Sequence, residues 1–408
     1  MAYITGKIPQ GCCLPVKYLG DNTFQCEPDV GEFHRKHKIY NDYHLFYAKI
    51  IGKKDEKITI KIKWPQFDAN KVSQEYKEWS SYSADWISFF YAVHEVCYIS
   101  TDQKNWTNIK NAVLEDDCIV FSLNLPADEC YISTTLYYTE AMFEDLIKTV
   151  AFSPYVKVEN IGKGWDGSDL LAFTATDFSV PVSEKKTVYL QGAQHCHERT
   201  GCHVCDYMLR FLTSGSDEAK NMLKRCIFRF VPIVDITGWR SGCSVHPERK
   251  ASMDFNYNRD WGVFNVPETL LITEYLNKAK LSGESFEFLA DLHGGTGDER
   301  DYSSGAGVNI DDRDSKEIIN RKIKFVNFMK QNCDFIKPED EGYNCHRQHE
   351  NMFAVYTQKN FGTSFTFEIS QSKIWDREAG RRFPNSQFAF KRFAEQLIKV
   401  IDKFVSEE

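Results

Sequence analysis

The sequence lacks any run of about 18 consecutive apolar residues, so we expect no membrane-spanning helix. Its first residues, MAYITGKIPQGCCLPVK, contain no basic segment followed by a long apolar stretch, and we expect no secretory signal. Internal repeats and low-complexity segments are also lacking. What these absences leave is an ordinary globular protein, and we predict a cytoplasmic location.

Positive charge is not in excess, because 50 Lys and Arg stand against 58 Asp and Glu, for a formal net charge of -8. This balance gives no electrostatic reason to expect nucleic acid or an anionic membrane as partner. The 13 cysteines are scattered along the chain, which favours reduced, buried thiols. Cys202 and Cys205 form an isolated Cys-x-x-Cys, which could be a redox pair or half of a structural zinc site. A single such pair is weak evidence for either, and we interpret these residues as buried thiols.

A chain of 408 residues suits two domains. We predict that residues 1–136 form an all-β sandwich, because polar and apolar residues alternate in KITIKIKW at 57–64. Further strands are predicted at 119–125 and 131–138, separated by polar turns. Three histidines in this part match no metal-ligand spacing and are interpreted as surface or core residues: His34, His37 and His44.

Residues 137–408 show a different pattern, which begins with apolar residues at helical spacing behind Thr139, a plausible N-cap. Strands and helices then alternate, which predicts an α/β domain with a mixed, largely parallel sheet flanked by helices. The predicted strands are 187–191, 226–234, 286–292 and 364–369. The predicted helices are 205–213, 267–279 and a last helix with its apolar face over 390–404.

Three segments that follow predicted strands carry metal-binding or proton-transferring groups: QHCHE at 194–198, DLHGG at 291–295 and FTFE at 365–368. Ligands of open α/β sheets bind beyond the carboxyl ends of the strands, so these segments can converge. His195, Glu198 and His293 could hold a catalytic zinc ion, and Glu368 could be the general base. Each residue alone has a structural interpretation, and from the pattern alone both interpretations stay open.

The motifs resemble those of the zinc metallocarboxypeptidases over about residues 138–405, most closely the cytosolic carboxypeptidase branch, which also carries an N-terminal β-sandwich. The family's His-x-x-Glu, Asp-Leu-His and Phe-Thr-Phe-Glu appear here in the same order. The resemblance implies Zn²⁺ held by His195, Glu198 and His293, with Glu368 as general base.

A fourth segment, NRDW at 258–261, matches the family's substrate-binding Asn-Arg pair. The resemblance implies that Asn258 and Arg259 bind the terminal carboxylate of the substrate. It also implies that Arg249, nine residues before Asn258, polarises the scissile carbonyl, with Arg240 as the alternative. A planar guanidinium that keeps its charge suits both tasks.

The sequence departs from the family pattern at several positions. Asn256 stands where relatives have an aspartate that orients a zinc-bound histidine; asparagine can accept a hydrogen bond but carries no charge, and Asp254 is the alternative for this role. VDITG at 234–238 replaces Asn-Pro-Asp-Gly. His197 is a rival ligand, because it forms a His-x-His unit, but the family order favours Glu198.

The predicted reaction is hydrolysis of a peptide or isopeptide bond next to a free C-terminal carboxylate, with a peptide or protein C-terminus as partner. Tyr343 is the predicted substrate-contacting phenol, with Tyr356 second, and 343–364 should form part of the specificity pocket. One alternative is a zinc amidase or deacylase that acts on cell-wall peptides or small acylated amino acids. Another is a non-catalytic binding module of the same fold.

Overall fold

A computed structural model describes residues 2–29, 45–63, 96–115, 118–242, 256–294 and 306–407. The chain forms two compact units: Met1–Met142 with Gly238–Met253, and Phe143–Thr237 with Asp254–Glu408. The first segment of the first unit ends at Met142, six residues after the predicted boundary at 136. The predicted domain boundary stays a prediction. The three histidines at 34, 37 and 44 lie outside the described residues.

The described part of the first unit is built from two five-stranded sheets, ordered β1-β4-β10-β6-β7 and β2-β3-β5-β9-β8. Their strands are β1 Tyr3–Thr5, β2 Lys17–Gly20, β3 Thr23–Cys26, β4 Tyr47–Ile51, β5 Lys57–Lys63, β6 Tyr98–Ser100, β7 Thr107–Asn108, β8 Val113–Glu115, β9 Cys118–Asn124 and β10 Glu129–Ser133. Alternation along β5 buries Ile58, Ile60 and Ile62 in one apolar core that residues of both sheets share. The predicted all-β region is therefore confirmed.

The second unit contains an eight-stranded sheet, ordered β11-β12-β14-β13-β15-β18-β16-β17. Its strands are β11 Val156–Lys163, β12 Asp169–Ala175, β13 Lys186–Gly192, β14 Cys226–Val231, β15 Ser285–His293, β16 Ala306–Asp311, β17 Tyr343–His346 and β18 Ser364–Ile369; β19 Lys373–Asp376 and β20 Arg381–Pro384 form a separate hairpin. The four central strands are mutually parallel, whereas β12 and β16 pair antiparallel with them. The predicted mixed, largely parallel sheet is confirmed.

Helices connect these strands. They are α1 Glu140–Val150, α2 Thr200–Leu212, α3 Asp217–Arg225, α4 Ile236–Ser241, α5 Pro267–Leu281, α6 Lys316–Asn332, α7 Phe353–Asn360 and α8 Gln387–Ser406. Thr139 caps α1 as predicted, since its hydroxyl oxygen accepts a hydrogen bond from the Met142 amide at 3.2 Å. The apolar face predicted for the last helix is buried along α8. Within the described ranges, no helix has the length and apolar character needed to cross a membrane.

Strand register brings the chemically active segments to one edge of the sheet. Gln191 pairs with Asp291 between β13 and β15, and His293 pairs with Glu368 between β15 and β18. Because these three strands run parallel, their carboxyl ends open onto the same edge.

Candidate metal centre

The first site segment leaves β13 through an unusual backbone turn. Ala193 adopts a left-handed conformation with φ of 47° although it carries a side chain, and its carbonyl accepts a hydrogen bond from the Asp235 amide at 3.0 Å. The chain then turns again, since the Glu198 amide donates to the His195 carbonyl at 2.9 Å. This path places the side chains of His195 and Glu198 between the end of β13 and the start of α2.

Glycine allows α2 to approach the sheet closely enough to support this segment. A Cβ at Gly201 would lie 2.2 Å from the carbonyl oxygen of Leu292, and one at Gly192 would lie 2.8 Å from the carbonyl carbon of Gly201. The first turn of α2 therefore packs directly on the backbones of β13 and β15. Glu198 precedes this helix, and the positive end of the helix dipole favours its carboxylate.

His195, Glu198 and His293 converge at the sheet edge, with one ligand atom from each lying within 4.8 Å of the others. Nδ1 of His195 is 2.9 Å from Oε1 of Glu198, and Nδ1 of His293 is 2.8 Å from its Oε2. Two imidazole nitrogens and a carboxylate are the ligand types that catalytic zinc uses. The three residues therefore form a group that could hold a metal ion.

Each imidazole is held from behind through its other nitrogen. Nε2 of His293 is 2.6 Å from Oδ2 of Asp291, and Nε2 of His195 is 3.1 Å from Oδ1 of Asn256. An acceptor at Nε2 keeps the proton there and leaves the Nδ1 lone pair for a metal. The donor set and its supporting contacts fit zinc.

The centre is electrostatically prepared for positive charge. Burial favours the neutral form of Glu198, but the charges and hydrogen bonds of His195 and His293 outweigh it and hold its pKa well below the usual value. For His293, burial favours the neutral ring, yet Asp291 and Glu198 raise its pKa well above the usual value. Buried carboxylates thus stabilise a cation at this position.

Glu368 stands beside the cluster on β18. It is in register with His293 on the neighbouring strand, so both side chains project from the same face of the sheet. Glu368 is half-buried, and its Oε1 lies 3.3 Å from Nδ2 of Asn309 on β16. The predicted base is thus next to the predicted metal ligand.

The predicted carboxylate-binding pair occupies a short 3₁₀ turn at Tyr257–Arg259. Arg259 is half-buried, and its Nη1 donates to the Asn258 carbonyl at 2.7 Å. The Asn258 side chain is buried, with its Oδ1 accepting from the Phe353 amide at 3.1 Å and its Nδ2 lying 3.2 Å from Nε2 of His293. Contact of either residue with a substrate stays a prediction.

The predicted phenol, Tyr343, begins β17, the last strand of the sheet, which is separated from β18 by β16. Tyr356 lies on α7 and packs against Trp261, with 6.3 Å between ring centroids. No hydrogen bond or ring contact joins either tyrosine to the metal cluster among the described residues, and their substrate role also stays a prediction.

Arg249, predicted to polarise the carbonyl, lies outside the described residues, as does Asp254. The alternative, Arg240, lies in the first unit, where its guanidinium pairs with Glu140 at 3.1 Å.

The rival ligand His197 stacks on His195 with 5.9 Å between ring centroids. Its Nε2 is 4.0 Å from Oε1 of Glu198, farther than the Nδ1 of His195 or His293. The compact three-residue group therefore contains Glu198 and not His197.

Two supporting glutamines were not predicted from the sequence. Gln194 donates to Asp291 Oδ2 at 2.8 Å, and its own oxygen accepts from the indole of Trp261 at 2.6 Å. Gln371 donates to the Gly294 carbonyl at 3.2 Å, and the Gly294 amide donates to Glu198 at 3.0 Å. Because an uncharged amide side chain forms no recognisable metal-ligand pattern, neither glutamine stands out in the sequence. The one feature that could have identified Gln194 is its position next to the candidate ligand His195.

The model of the zinc carboxypeptidase family, Peptidase M14, matches residues 143–264. The matched part contains His195 and Glu198 and ends before His293 and Glu368. No curated protein matches the sequence.

Solved structures match the whole chain. A metallo-carboxypeptidase from Burkholderia cenocepacia has a TM-score of 0.74 at 15% identity, covering 100% of both chains. A metallo-carboxypeptidase from Pseudomonas aeruginosa, in complex with (2-guanidinoethylmercapto)succinic acid, has a TM-score of 0.73 at 14% identity, covering 99% of both chains. At these identities the likeness establishes the fold. The family match, this fold and the His-Glu-His group together support a zinc metallocarboxypeptidase, a hydrolase with Zn²⁺ as cofactor.

Proposed function

We propose that the protein is a zinc-dependent carboxypeptidase that hydrolyses a peptide or isopeptide bond next to a free C-terminal carboxylate. The observation that carries this proposal is the convergence of His195, Glu198 and His293 on the strand edge, with Glu368 in register beside His293. Zinc bound there would supply an acidified water and a Lewis acid for the scissile carbonyl.

Glu368 is assigned as the general base. A carboxylate on the strand next to the ligands can take a proton from the attacking water and deliver it to the leaving amine. Its half-buried position and the amide of Asn309 fix its orientation. Glu198 cannot share this task, because both of its oxygens already face imidazole nitrogens.

Arg259 is assigned to the terminal carboxylate of the substrate, with Asn258 beside it in the same turn. The guanidinium is half-buried, so it can meet a ligand while partly shielded from water, which strengthens a charge-assisted hydrogen bond. Arg249 is assigned to the developing oxyanion on the strength of its spacing alone. Tyr343 remains the proposed substrate phenol.

From the sequence motifs we infer that the protein is most similar to the cytosolic carboxypeptidase branch. We also propose a cytoplasmic location. Peptide C-termini are the substrate class that the family match favours.

Zinc content and turnover test the proposal together. We expect about one zinc per chain in the wild type, its loss in His293→Ala, and cleavage of peptides with free but not amidated C-termini. Glu368→Gln should keep the zinc and lose most turnover, by at least about 100-fold if general-base catalysis is removed. The matched control is Glu144→Gln, which changes a carboxylate on α1 that pairs only with Lys148 among its described contacts.

The other outcomes separate the alternatives. A protein that neither contains zinc nor takes it up would refute the hydrolase proposal. Bound zinc without turnover on any peptide or amide would indicate a binding module. Faster cleavage of small acylated amino acids or cell-wall peptides than of ordinary peptides would indicate an amidase or deacylase.

A further inference from the structure

The two histidines of the metal centre are alike on the side that faces the cluster and different on the other side. Their Nδ1 atoms lie 2.9 and 2.8 Å from the Glu198 oxygens, so neither is better placed for a metal. Behind His293 stands the carboxylate of Asp291, and behind His195 stands the amide of Asn256. The asymmetry of the centre therefore lies in the atoms behind the ligands.

The His293 side is charged, short and braced. Asp291 is 1% exposed, its Oδ2 lies 2.6 Å from the imidazole, and Gln194 donates to the same oxygen. Gln194 is fixed in turn by the indole of Trp261. A carboxylate that accepts a hydrogen bond from the imidazole N–H raises the basicity of the other ring nitrogen and fixes the ring orientation.

The His195 side is neutral, longer and shared. Oδ1 of Asn256 is 3.1 Å from the imidazole and also accepts the Asn258 amide at 2.9 Å, so one uncharged oxygen serves two donors. The side chain of His195 is 27% exposed, against 3% for His293. Charge-assisted hydrogen bonds are roughly twice as strong as neutral ones, so His195 receives the weaker support.

We propose that the metal centre is built with one strong and one weak histidine, and that Asn256 is a positioning residue that limits metal affinity and makes His195 the ligand that leaves first. This inference rests on the proposed zinc site and concerns metal exchange, not the peptide reaction. The effect of the neutral amide on metal affinity can be reversed by substitution. Aspartate at position 256 would retain an acceptor for the Asn258 amide and would offer His195 a charged acceptor.

Four proteins test the inference: the full-length wild type, Asn256→Asp, Asp291→Asn and the double variant that exchanges the two side chains. Zinc affinity of each apoprotein is measured by competition with a chromogenic chelator, and zinc release is followed in excess chelator. We expect Asn256→Asp to bind zinc about 10- to 100-fold more tightly and to release it more slowly, and Asp291→Asn to change affinity by a similar factor in the opposite direction. The double variant should lie between the two single variants.

Controls separate this effect from net charge and from folding. Asn221→Asp adds the same charge on an exposed position of α3 and should leave zinc affinity unchanged. Thermal unfolding of each apoprotein shows whether the fold is intact, and if Asn256→Asp is destabilised, Asn256→Ala provides a second measurement, with weaker zinc binding expected.

An Asn256→Asp variant with an intact fold and unchanged or weaker zinc affinity would overturn the inference while leaving the proposed function standing. A wild type that binds no zinc would overturn both. Because affinity and release are read from the metal, neither result depends on finding the right peptide.

Discussion

At the scale of single residues, the metal centre depends on a backbone conformation that its sequence does not favour. Ala193 is fully buried with φ of 47°, and a left-handed residue with a Cβ costs about 1–2 kcal/mol. The surrounding contacts maintain this conformation, since the Gly192 and Ala193 carbonyls both accept amides from the segment after β14. Strain of this kind is concentrated at functional sites.

Substitution at Ala193 should distinguish strain from packing. In Ala193→Gly, the relieved strain is offset by about 0.5–1 kcal/mol of unfolded-chain entropy and about 0.8 kcal/mol of lost methyl burial, so stability should change by less than about 1 kcal/mol. Ala193→Val should lose more, because a branched side chain fits the left-handed region poorly. Denaturant unfolding of both variants measures this, and equal losses would contradict the role of strain.

The residues of the site differed in how far the sequence could predict them. His195, Glu198 and His293 follow predicted strands in a recognisable order, and the structure brings them together. Asn256 faces His195, as expected for the position at which relatives have an aspartate that orients a zinc-bound histidine. The position of the Asn258 side chain against His293 was not predictable, because it depends on where the α7 amide of Phe353 lies.

At the scale of elements, close contact between α2 and the sheet sets the position of the ligand segment. The contact depends on Gly201, whose missing side chain leaves room for the Leu292 carbonyl. An added Cβ would meet backbone, which cannot rotate away, so the helix itself would have to shift and displace Glu198 from His293.

Gly201→Ala should therefore destabilise the protein by about 1–3 kcal/mol or more and weaken zinc binding. Helix propensity alone predicts the opposite sign, a gain of about 1 kcal/mol for alanine over glycine. Asn221→Ala on the exposed face of α3 is the matched control, because it raises propensity without a new contact. Chemical denaturation and zinc titration of both variants test this, and a stabilised Gly201→Ala would show that the contact is not tight.

Elements with strong periodicity were predicted closely, and those without it were missed. β18 has the bounds predicted for it, Ser364–Ile369, because polar and apolar residues alternate along it with the period of a strand. α2 begins at Thr200, five residues before the predicted start, because its buried first turn contains glycine and polar residues. The edge strand β11 has no fully buried residue, and its sequence lacks the apolar alternation that marks a strand with one buried face.

At the scale of the whole molecule, most of the described cysteines are buried, as the sequence predicted. No disulfide joins any two cysteines among those the structure describes. Cys202 and Cys205 are fully buried in α2, where burial raises the pKa of Cys202 to about 12 and raises the pKa of Cys205 well above its usual value. A thiol with a raised pKa stays protonated at neutral pH and reacts slowly, which disfavours a redox role for this pair.

Alkylation of the native protein near pH 7.5, followed by peptide mass mapping, should modify the exposed Cys345 and spare Cys202 and Cys205. After unfolding, all three should react, because burial is the cause of the raised pKa values. The zinc content should be unchanged after the native treatment. Rapid modification of Cys202, or loss of zinc with it, would support the redox or structural-zinc interpretation instead.

The pairing of His293 with Glu368 across β15 and β18 has a consequence for how such a molecule can be altered. One rung of a parallel ladder sets the spacing between the metal ligand and the base, so that spacing is independent of the length of chain between them. The loops that join β16, α6 and β17 can accept insertions or exchanges while the two reacting groups keep their separation, whereas β16 itself pairs with β18 and its Asn309 contacts Glu368. The sheet thus separates the parts of the chain that can diversify substrate choice from the parts that must stay fixed for hydrolysis.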